Sequence, residues 1–313
     1  MKLLAMLACV VLVAACTQDK QVSEDTEASP YPPRVYTVNY PLAYFAERIA
    51  GDSVQVVFPA PPDVDPAVWS PVAETIADYQ QADLVLLNGA GYAGWLQRAT
   101  LSRSRLVDTS AALADRLIPM NDTVTHSHGP GGDHSHQGMA FTSWLDMEYA
   151  AGQARAVFDS LVRLRPENEL DYRARLQELE KDLSKLDTRL TVVAERIGDQ
   201  PLVFSHPVFQ YLARAYELNG RSVHWEPHEA PGDDPWRELF ELLATHAAAW
   251  MIWEDEPLPD TVSRLESMGI TSLIFRPCGN RPAEGNLLSV MLDNVMALER
   301  AFPAPASIEA TEM

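Results

Sequence analysis

Short apolar runs alternate with amphipathic stretches in the first third of the chain. The runs with strand character occupy 35–38, 53–58 and 83–87. Apolar residues at helical spacing occupy 42–49 and 71–81. Because strands that alternate with helices favour βαβ units, this pattern predicts an α/β lobe with a parallel sheet.

The middle of the chain shows helical spacing alone. One pattern spans 146–164, and a second begins near Pro166 and repeats apolar residues every three or four positions to Ile197. The second pattern predicts a helix of about 30 residues, or ~45 Å at 1.5 Å per residue. A coiled-coil seam would give the same spacing. A helix that lies against two lobes explains it without a partner chain, and we favour that interpretation.

Strand and helix patterns alternate again after residue 200. The strand-like runs occupy 202–204, 222–225, 249–253 and 272–275, and the helical patterns occupy 208–217, 236–246, 261–268 and 287–302. The predicted fold is therefore α/β, with two parallel-sheet lobes joined by a long rigid α-helix and a ligand cleft between the lobes. The predicted segments are an N-terminal lobe at 34–145, a helical linker at 146–199 and a C-terminal lobe at 200–305.

The N-terminus has the pattern of an export signal. Lys2 precedes an apolar run at 3–15 that is too short to span a bilayer. The run ends in Val13-Ala14-Ala15-Cys16, which resembles a bacterial lipobox. We therefore predict a signal peptide at 1–15, lipid on Cys16 and a disordered tether at 16–33. An ordinary signal peptide that contains a cysteine is the alternative. This pattern predicts a periplasmic protein anchored to the membrane by lipid, and we expect the protein to be a monomer.

Charge and missing motifs exclude several functions. The formal net charge of −20 makes a nucleic-acid partner improbable on electrostatic grounds. The chain has no GxGxxG in the register of a dinucleotide site, no Gly-x-Ser-x-Gly elbow and no His-Glu-x-x-His helix. These absences argue against an enzyme of the common classes, and Cys278 is interpreted as a buried small residue.

Histidine is concentrated in one loop, 124–138, whose sequence includes HSHGPGGDHSH. Its imidazoles are those of His126, His128, His134 and His136. Neutral imidazole is a common zinc ligand, and a His-x-His pair lets two rings reach one ion. The glycines and Pro130 argue against a regular helix or strand, so ordering the loop around an ion costs entropy. We predict that this loop contacts a metal; a solvated low-complexity insert is the alternative.

Three further candidate ligands follow predicted strands of the second lobe. His206 comes directly after 202–204, Glu226 lies in the sequence HWEPHE, and Glu254 follows 249–253. Each also has a structural explanation, because strand-end histidines and acids near helix N-termini are common. Their shared position at strand ends nevertheless makes them candidate metal ligands.

The order of motifs along the chain resembles the zinc/manganese-type solute-binding proteins of ABC transporters, the cluster (A-I) with a rigid linker helix. The resemblance covers roughly 34–303. It rests on Tyr40-Pro41-Leu42, Pro61 to Pro66 (PPDVDP), Ala82-Asp83-Leu84, Asn88-Gly89-Ala90-Gly91, Trp144-Leu145-Asp146, Ser205-His206 with Tyr211-Leu212 and Tyr216, and Glu226-Pro227. It implies capture of a divalent cation, chiefly Zn²⁺ and less readily Mn²⁺, for an ABC permease and ATPase.

The chain departs from the family pattern at three expected ligand positions. Ala67 and Thr142 stand where the family usually has histidine, and Arg276 stands where it usually has aspartate. Of the usual set only His206 is present. Either the histidine loop folds into the cleft and joins His206 and Glu226 or Glu254, or Arg276 binds an anion or a metal chelate. We favour the first, with Arg276 paired to Glu254, Asp255 or another carboxylate.

Two other functions fit the same residues. A periplasmic zinc buffer or sensor would need the same site but no permease. A metalloenzyme would need zinc with an open position and a poised base, and only Glu226 or Glu254 is placed to serve as that base. Imidazole and carboxylate suit several divalent ions, so the sequence leaves the metal open.

Overall fold

The structure is a computed structural model that describes residues 31–62, 64–120 and 138–305, together with the backbone of two short strands at 125–127 and 133–135. The predicted signal peptide and the lipidated Cys16 lie outside the described residues, as does the tether up to residue 30. Within the described part of the chain, no helix combines the length and the apolar character that crossing a bilayer requires.

The secondary structure alternates strands and helices on both sides of a long central helix. The strands are β1 (Arg34–Thr37), β2 (Gln55–Val57), β3 (Leu84–Leu87), β4 (Leu106–Asp108), β5 (Pro119–Met120), β6 (Thr125–Ser127), β7 (Asp133–Ser135), β8 (Gly138–Met139), β9 (Leu202–Phe204), β10 (Gly220–Ser222), β11 (Trp250–Trp253) and β12 (Thr271–Ile274). The helices are α1 (Tyr40–Ala50), α2 (Ala73–Gln81), α3 (Met147–Leu164), α4 (Glu169–Ile197), α5 (Gln210–Ala215), α6 (Asp233–Thr245), α7 (Pro259–Ser267) and α8 (Leu287–Ala301).

Two parallel sheets of four strands form the cores of the two lobes. Their orders are β2-β1-β3-β4 and β10-β9-β11-β12, so the two sheets have the same topology. In each sheet the strand order reverses beside the first strand of the lobe, and ligands bind at the carboxyl ends of strands at such a point. The predicted fold class is confirmed. The sequence pattern missed β4, a strand of only three residues.

The central helix α4 lies against both lobes. Its apolar stripe is buried, and it packs against α1 and α3 on one side and α8 on the other. Ion pairs extend the contact in both directions: Arg48 of α1 lies 3.0 Å from Asp182, and Arg189 lies 2.6 Å from Glu299 of α8. The apolar face is therefore covered within the chain, as the interpretation without a coiled-coil partner requires.

Asp146 joins the two lobes at the start of α3. Its Oδ1 caps the helix by accepting from the Tyr149 N–H at 3.0 Å. Its Oδ2 accepts from Arg116 of the first lobe at 2.9 Å and lies 3.5 Å from Arg214 of α5. The Asp146 side chain is only 3% exposed, whereas both arginines are partly exposed. One buried carboxylate thus neutralises guanidinium groups from both halves of the protein.

Candidate metal site

The candidate site lies at the carboxyl edge of the second sheet. The central strand β9 runs between β10 and β11, and all three are parallel, so the residues that follow them emerge at one edge. Backbone hydrogen bonds continue the register beyond the strands. The Ser205 N–H donates to Ile252 at 2.9 Å, and the Trp225 N–H donates to Ser205 at 2.7 Å. His206 and Glu226 therefore follow backbone that is fixed on both sides.

Three of the sequence-predicted ligands meet at this edge. His206, Glu226 and Glu254 each offer one ligand atom, and these atoms all lie within 4.8 Å of one another. The His206 Nδ1 is 3.3 Å from the Glu226 Oε1, and the His206 side chain is 8% exposed. Donors that share a tetrahedral zinc ion at about 2.0–2.2 Å lie roughly 3.4 Å apart. Small side-chain shifts would therefore bring these three groups onto one ion.

The site concentrates negative charge in a partly buried position. Burial first, and then the neighbouring carboxylates of Glu226, Asp65 and Asp255, together raise the pKa of Glu254 to about 8. The neighbouring carboxylates disfavour ionisation of Glu254, whereas a divalent cation bound beside it would favour the ionised form. The electrostatics therefore suit a cation.

The first lobe contributes Asp65 to this region. The Asp65 Oδ1 accepts from the Ala67 N–H at 2.9 Å, which places the carboxylate in a tight turn. Its charge acts on Glu254 and on Tyr92, whose pKa is raised well above its usual value, first by burial and then by Asp65. The sequence analysis included Asp65 in the motif at 61–66 but did not name its carboxylate as a candidate. The available signal was the position of Asp65 in the motif at 61–66, in the segment that follows the predicted strand at 53–58.

The positions where the family usually has histidine do not supply ligands here. Thr142 is buried, and its hydroxyl donates to the Val208 carbonyl at 2.5 Å. Ala67 lies partly buried beside the Asp65 turn.

The histidine loop is described only in part. The backbones of β6 and β7 pair in an antiparallel ladder that sets His126 opposite His134. The expectation that this stretch excludes regular strands was therefore wrong. In the sequence, Pro130 and three of the loop glycines come after the last residue of β6 and before the first residue of β7. The side chains of His126 and His134, and all of His128 and His136, lie outside the described residues, so their metal contact stays a prediction.

Arg276 is paired at the rim of the site. Its Nε lies 2.9 Å from the Asp255 Oδ1, and its side chain is 50% exposed. Its backbone N–H donates to the Asn294 side chain at 2.9 Å. The guanidinium thus contacts the carboxylate that follows Glu254, which is one of the pairings the sequence suggested.

Comparison with known proteins shows a family whose profile spans most of the chain. The profile of the family described as zinc-uptake complex component A, periplasmic, matches residues 35–301. The chain is 22% identical over 303 residues to the zinc-binding lipoprotein AdcA of Streptococcus pneumoniae, covering 93% of this chain and 59% of that protein. It is 27% identical over 236 residues to the high-affinity zinc uptake system protein ZnuA of Bacillus subtilis, covering 73% of each.

The fold is shared with a solved relative. The crystal structure of Zn(II)-bound AdcA from Streptococcus pneumoniae superposes with a TM-score of 0.72 at 20% identity, covering 87% of this chain and 58% of that one. At this identity the likeness shows the fold alone. The chain spans less than two thirds of the length of AdcA.

Proposed function

The chain belongs to the family of periplasmic zinc-uptake components, and from this premise we propose that it captures a divalent metal ion, Zn²⁺, as the substrate-binding protein of an ABC importer. The observation that carries the proposal is the convergence of His206, Glu226 and Glu254 at the edge of the second sheet. The role is one of binding and delivery, and it requires no turnover.

The donor chemistry supports a divalent transition metal. A neutral imidazole with two carboxylates brings two negative charges to a doubly charged ion, which favours binding in a buried site. At an imidazole and carboxylate site, Zn²⁺ is held more tightly than Mn²⁺ by the general order of divalent affinities. We therefore propose Zn²⁺ as the cargo and Mn²⁺ as a weaker ligand.

The remaining parts of the role extend the same proposal. We propose that lipid on Cys16 anchors the protein to the membrane on the extracytoplasmic side, in the periplasm, and that its partners are the permease and ATPase of the importer. The protein would act as a monomer, because α4 buries its apolar stripe against helices of its own chain. A zinc buffer or sensor is the alternative, and genes for a permease and an ATPase beside this one would separate the two.

An anion or metal chelate held by Arg276 is the other candidate ligand. The structure gives this alternative less support, because the guanidinium already pairs with Asp255.

Competition titration with a zinc-binding chromophore tests the proposal. The full chain is expected to bind Zn²⁺ with a sub-micromolar Kd, and His206→Ala is expected to weaken binding strongly because the buried imidazole is removed. His228→Ala is the matched control, since this imidazole lies on the same rim but is 72% exposed. Absence of sub-micromolar binding in the unsubstituted chain, or equal binding by all three proteins, would contradict the proposal.

A further inference from the structure

The register of the second sheet relates three polar residues beyond its carboxyl end. Phe204 of β9 is paired with Ser222 of β10 and with Ile252 of β11. In an extended sheet, the residues two positions further along these strands share one height and one face. They are His206, His224 and Glu254, respectively. Two of the three belong to the candidate metal site, and the third is His224.

The segment after β10 directs His224 and Glu226 to the same face. The Trp225 N–H donates to the Ser205 carbonyl at 2.7 Å, which keeps this segment paired to the backbone that follows β9. Val223 and Trp225 are both buried in an apolar cluster of the second lobe, whereas His224 and Glu226 are half-buried. Because successive side chains of an extended chain alternate between faces, His224 and Glu226 point away from that cluster.

The ring of His224 lies against the ring of His206. Their centroids are 6.0 Å apart and their planes are inclined by 84°, which is an edge contact. Two imidazoles that share a tetrahedral zinc ion, with Zn–N distances of about 2.0–2.1 Å, have centroids roughly 5 Å apart. His224 is not among the three side chains whose ligand atoms lie within 4.8 Å of one another, so binding requires its ring to move. A movement on the order of 1 Å, within reach of a small side-chain rotation, closes the difference.

We infer that His224 is a further ligand of the ion bound by His206, Glu226 and Glu254, and that its imidazole favours Zn²⁺ over Mn²⁺. The inference rests on the proposed function and names a residue that discriminates between the two metals. Carboxylate oxygens suit Mn²⁺, whereas imidazole nitrogen suits Zn²⁺. A second imidazole therefore shifts the site toward zinc.

This assignment bears on the two positions where the resemblance implies histidine. Ala67 and Thr142 occupy them, and neither side chain carries an imidazole. His224 offers, from the second lobe, a nitrogen donor that these two positions do not. Its place beside His206 in the sheet register, and not its place in a family motif, identifies it.

Zinc titrations of the full chain test whether His224 contributes to the site. His224→Gln removes the imidazole but keeps a polar side chain, and it is expected to raise the Kd for Zn²⁺ at least about tenfold, since even residues that only orient metal ligands cost about 10–100-fold. His228→Gln is the matched control, because it makes the same change in the same segment at a side chain that is 72% exposed. It is expected to leave the Kd unchanged. Unchanged zinc affinity in His224→Gln would overturn the assignment.

Manganese titrations of the same proteins test the effect on metal preference. The ratio of the Mn²⁺ Kd to the Zn²⁺ Kd is expected to fall severalfold in His224→Gln, because the lost imidazole contributes more to zinc binding than to manganese binding. Weakening of both metals by the same factor would indicate a general structural effect and overturn the preference assigned to His224.

Nitrogen NMR of the full chain labelled at histidine separates a ligand from a residue that acts through another. The ring signals of His224 are those missing from the spectrum of His224→Gln or of His224→Asn. On saturation with zinc, one ring nitrogen of His224 is expected to take the chemical shift of a metal-bound nitrogen, because a ligating imidazole binds through one of its two nitrogens. If both ring nitrogens keep their zinc-free shifts, His224 is not a ligand.

The outcomes distinguish this inference from the proposed function. If the unsubstituted chain binds zinc and His206→Ala does not, but His224→Gln binds as tightly as the unsubstituted chain, His224 is not a ligand and the proposed function stands. If the unsubstituted chain does not bind zinc, both fail.

Discussion

The metal-free site should destabilise the protein at alkaline pH, and Glu254→Gln should remove that effect. Glu254 has an ordinary pKa of 4.5, and burial with the nearby carboxylates raises it to about 8 in the folded protein. When the folded pKa exceeds the unfolded one, the folded state binds more protons in between, so stability falls as pH rises through that window. The destabilisation is absent below about pH 4.5 and complete above about pH 8. Glutamine mimics the protonated acid and does not titrate.

The size of the effect follows from the pKa change. The raised pKa corresponds to about 5 kcal/mol of preference for the protonated form, since one pKa unit is about 1.4 kcal/mol. Partial exposure of the side chain and relaxation of its neighbours reduce this figure. We therefore expect Glu254→Gln to raise the free energy of unfolding at pH 9 by about 2–5 kcal/mol. For a chain of this length, that gain raises Tm by about 4–10 °C.

Thermal unfolding in excess chelator at pH 5 and pH 9 measures the difference. The variant is expected to melt well above the unsubstituted protein at pH 9 and close to it at pH 5. Glu256→Gln is the control, because its side chain lies in the same loop but is 72% exposed. A Tm difference that does not change with pH, or a variant that melts lower at pH 9, would refute the reasoning.

Three further predictions follow from other contacts. Asp146→Asn keeps a side chain that can cap α3 but removes the negative charge between Arg116 and Arg214. It is expected to lower the free energy of unfolding by about 1–3 kcal/mol, measured by denaturant unfolding. An unchanged free energy of unfolding would contradict a structural role for this contact. Deleting residues 126–136 is expected to weaken zinc binding by the site at His206, because the favoured ligand set includes imidazoles of that loop, and zinc titration measures the change; unchanged affinity would show that the loop is accessory. Arg276→Gln is expected to strengthen zinc binding by less than about tenfold, because one screened positive charge leaves the rim; weaker binding would contradict this.

The fold was predictable from periodicity because most elements carry a strong local pattern. The leucine stripe of α4 and the apolar runs of β9 and β11 predict buried positions, and these residues are buried in the structure. Two misses have local causes. The strand β4 is too short to show alternation, and the ladder of β6 and β7 is formed by threonine, serine, histidine and aspartate, which carry no apolar signal.

The part of the candidate site that lies at one edge of the second sheet was predictable from the sequence. His206, Glu226 and Glu254 follow three strands of one parallel sheet, so their positions in sequence already imply that they meet. The charge of Asp65 was missed because the contact of its segment with the second lobe, where the Asn280 amide donates to the carbonyls of Pro61 and Val64, joins residues far apart in sequence. Spacing within one segment carries no information about such a contact.

Anomalous diffraction at the zinc absorption edge, from crystals of the zinc-saturated protein, tests the central claim most directly. The account predicts one strong peak within bonding distance of His206 Nδ1 or Nε2 and of carboxylate oxygens of Glu226 and Glu254. A zinc-saturated crystal with no peak between these three side chains would contradict it.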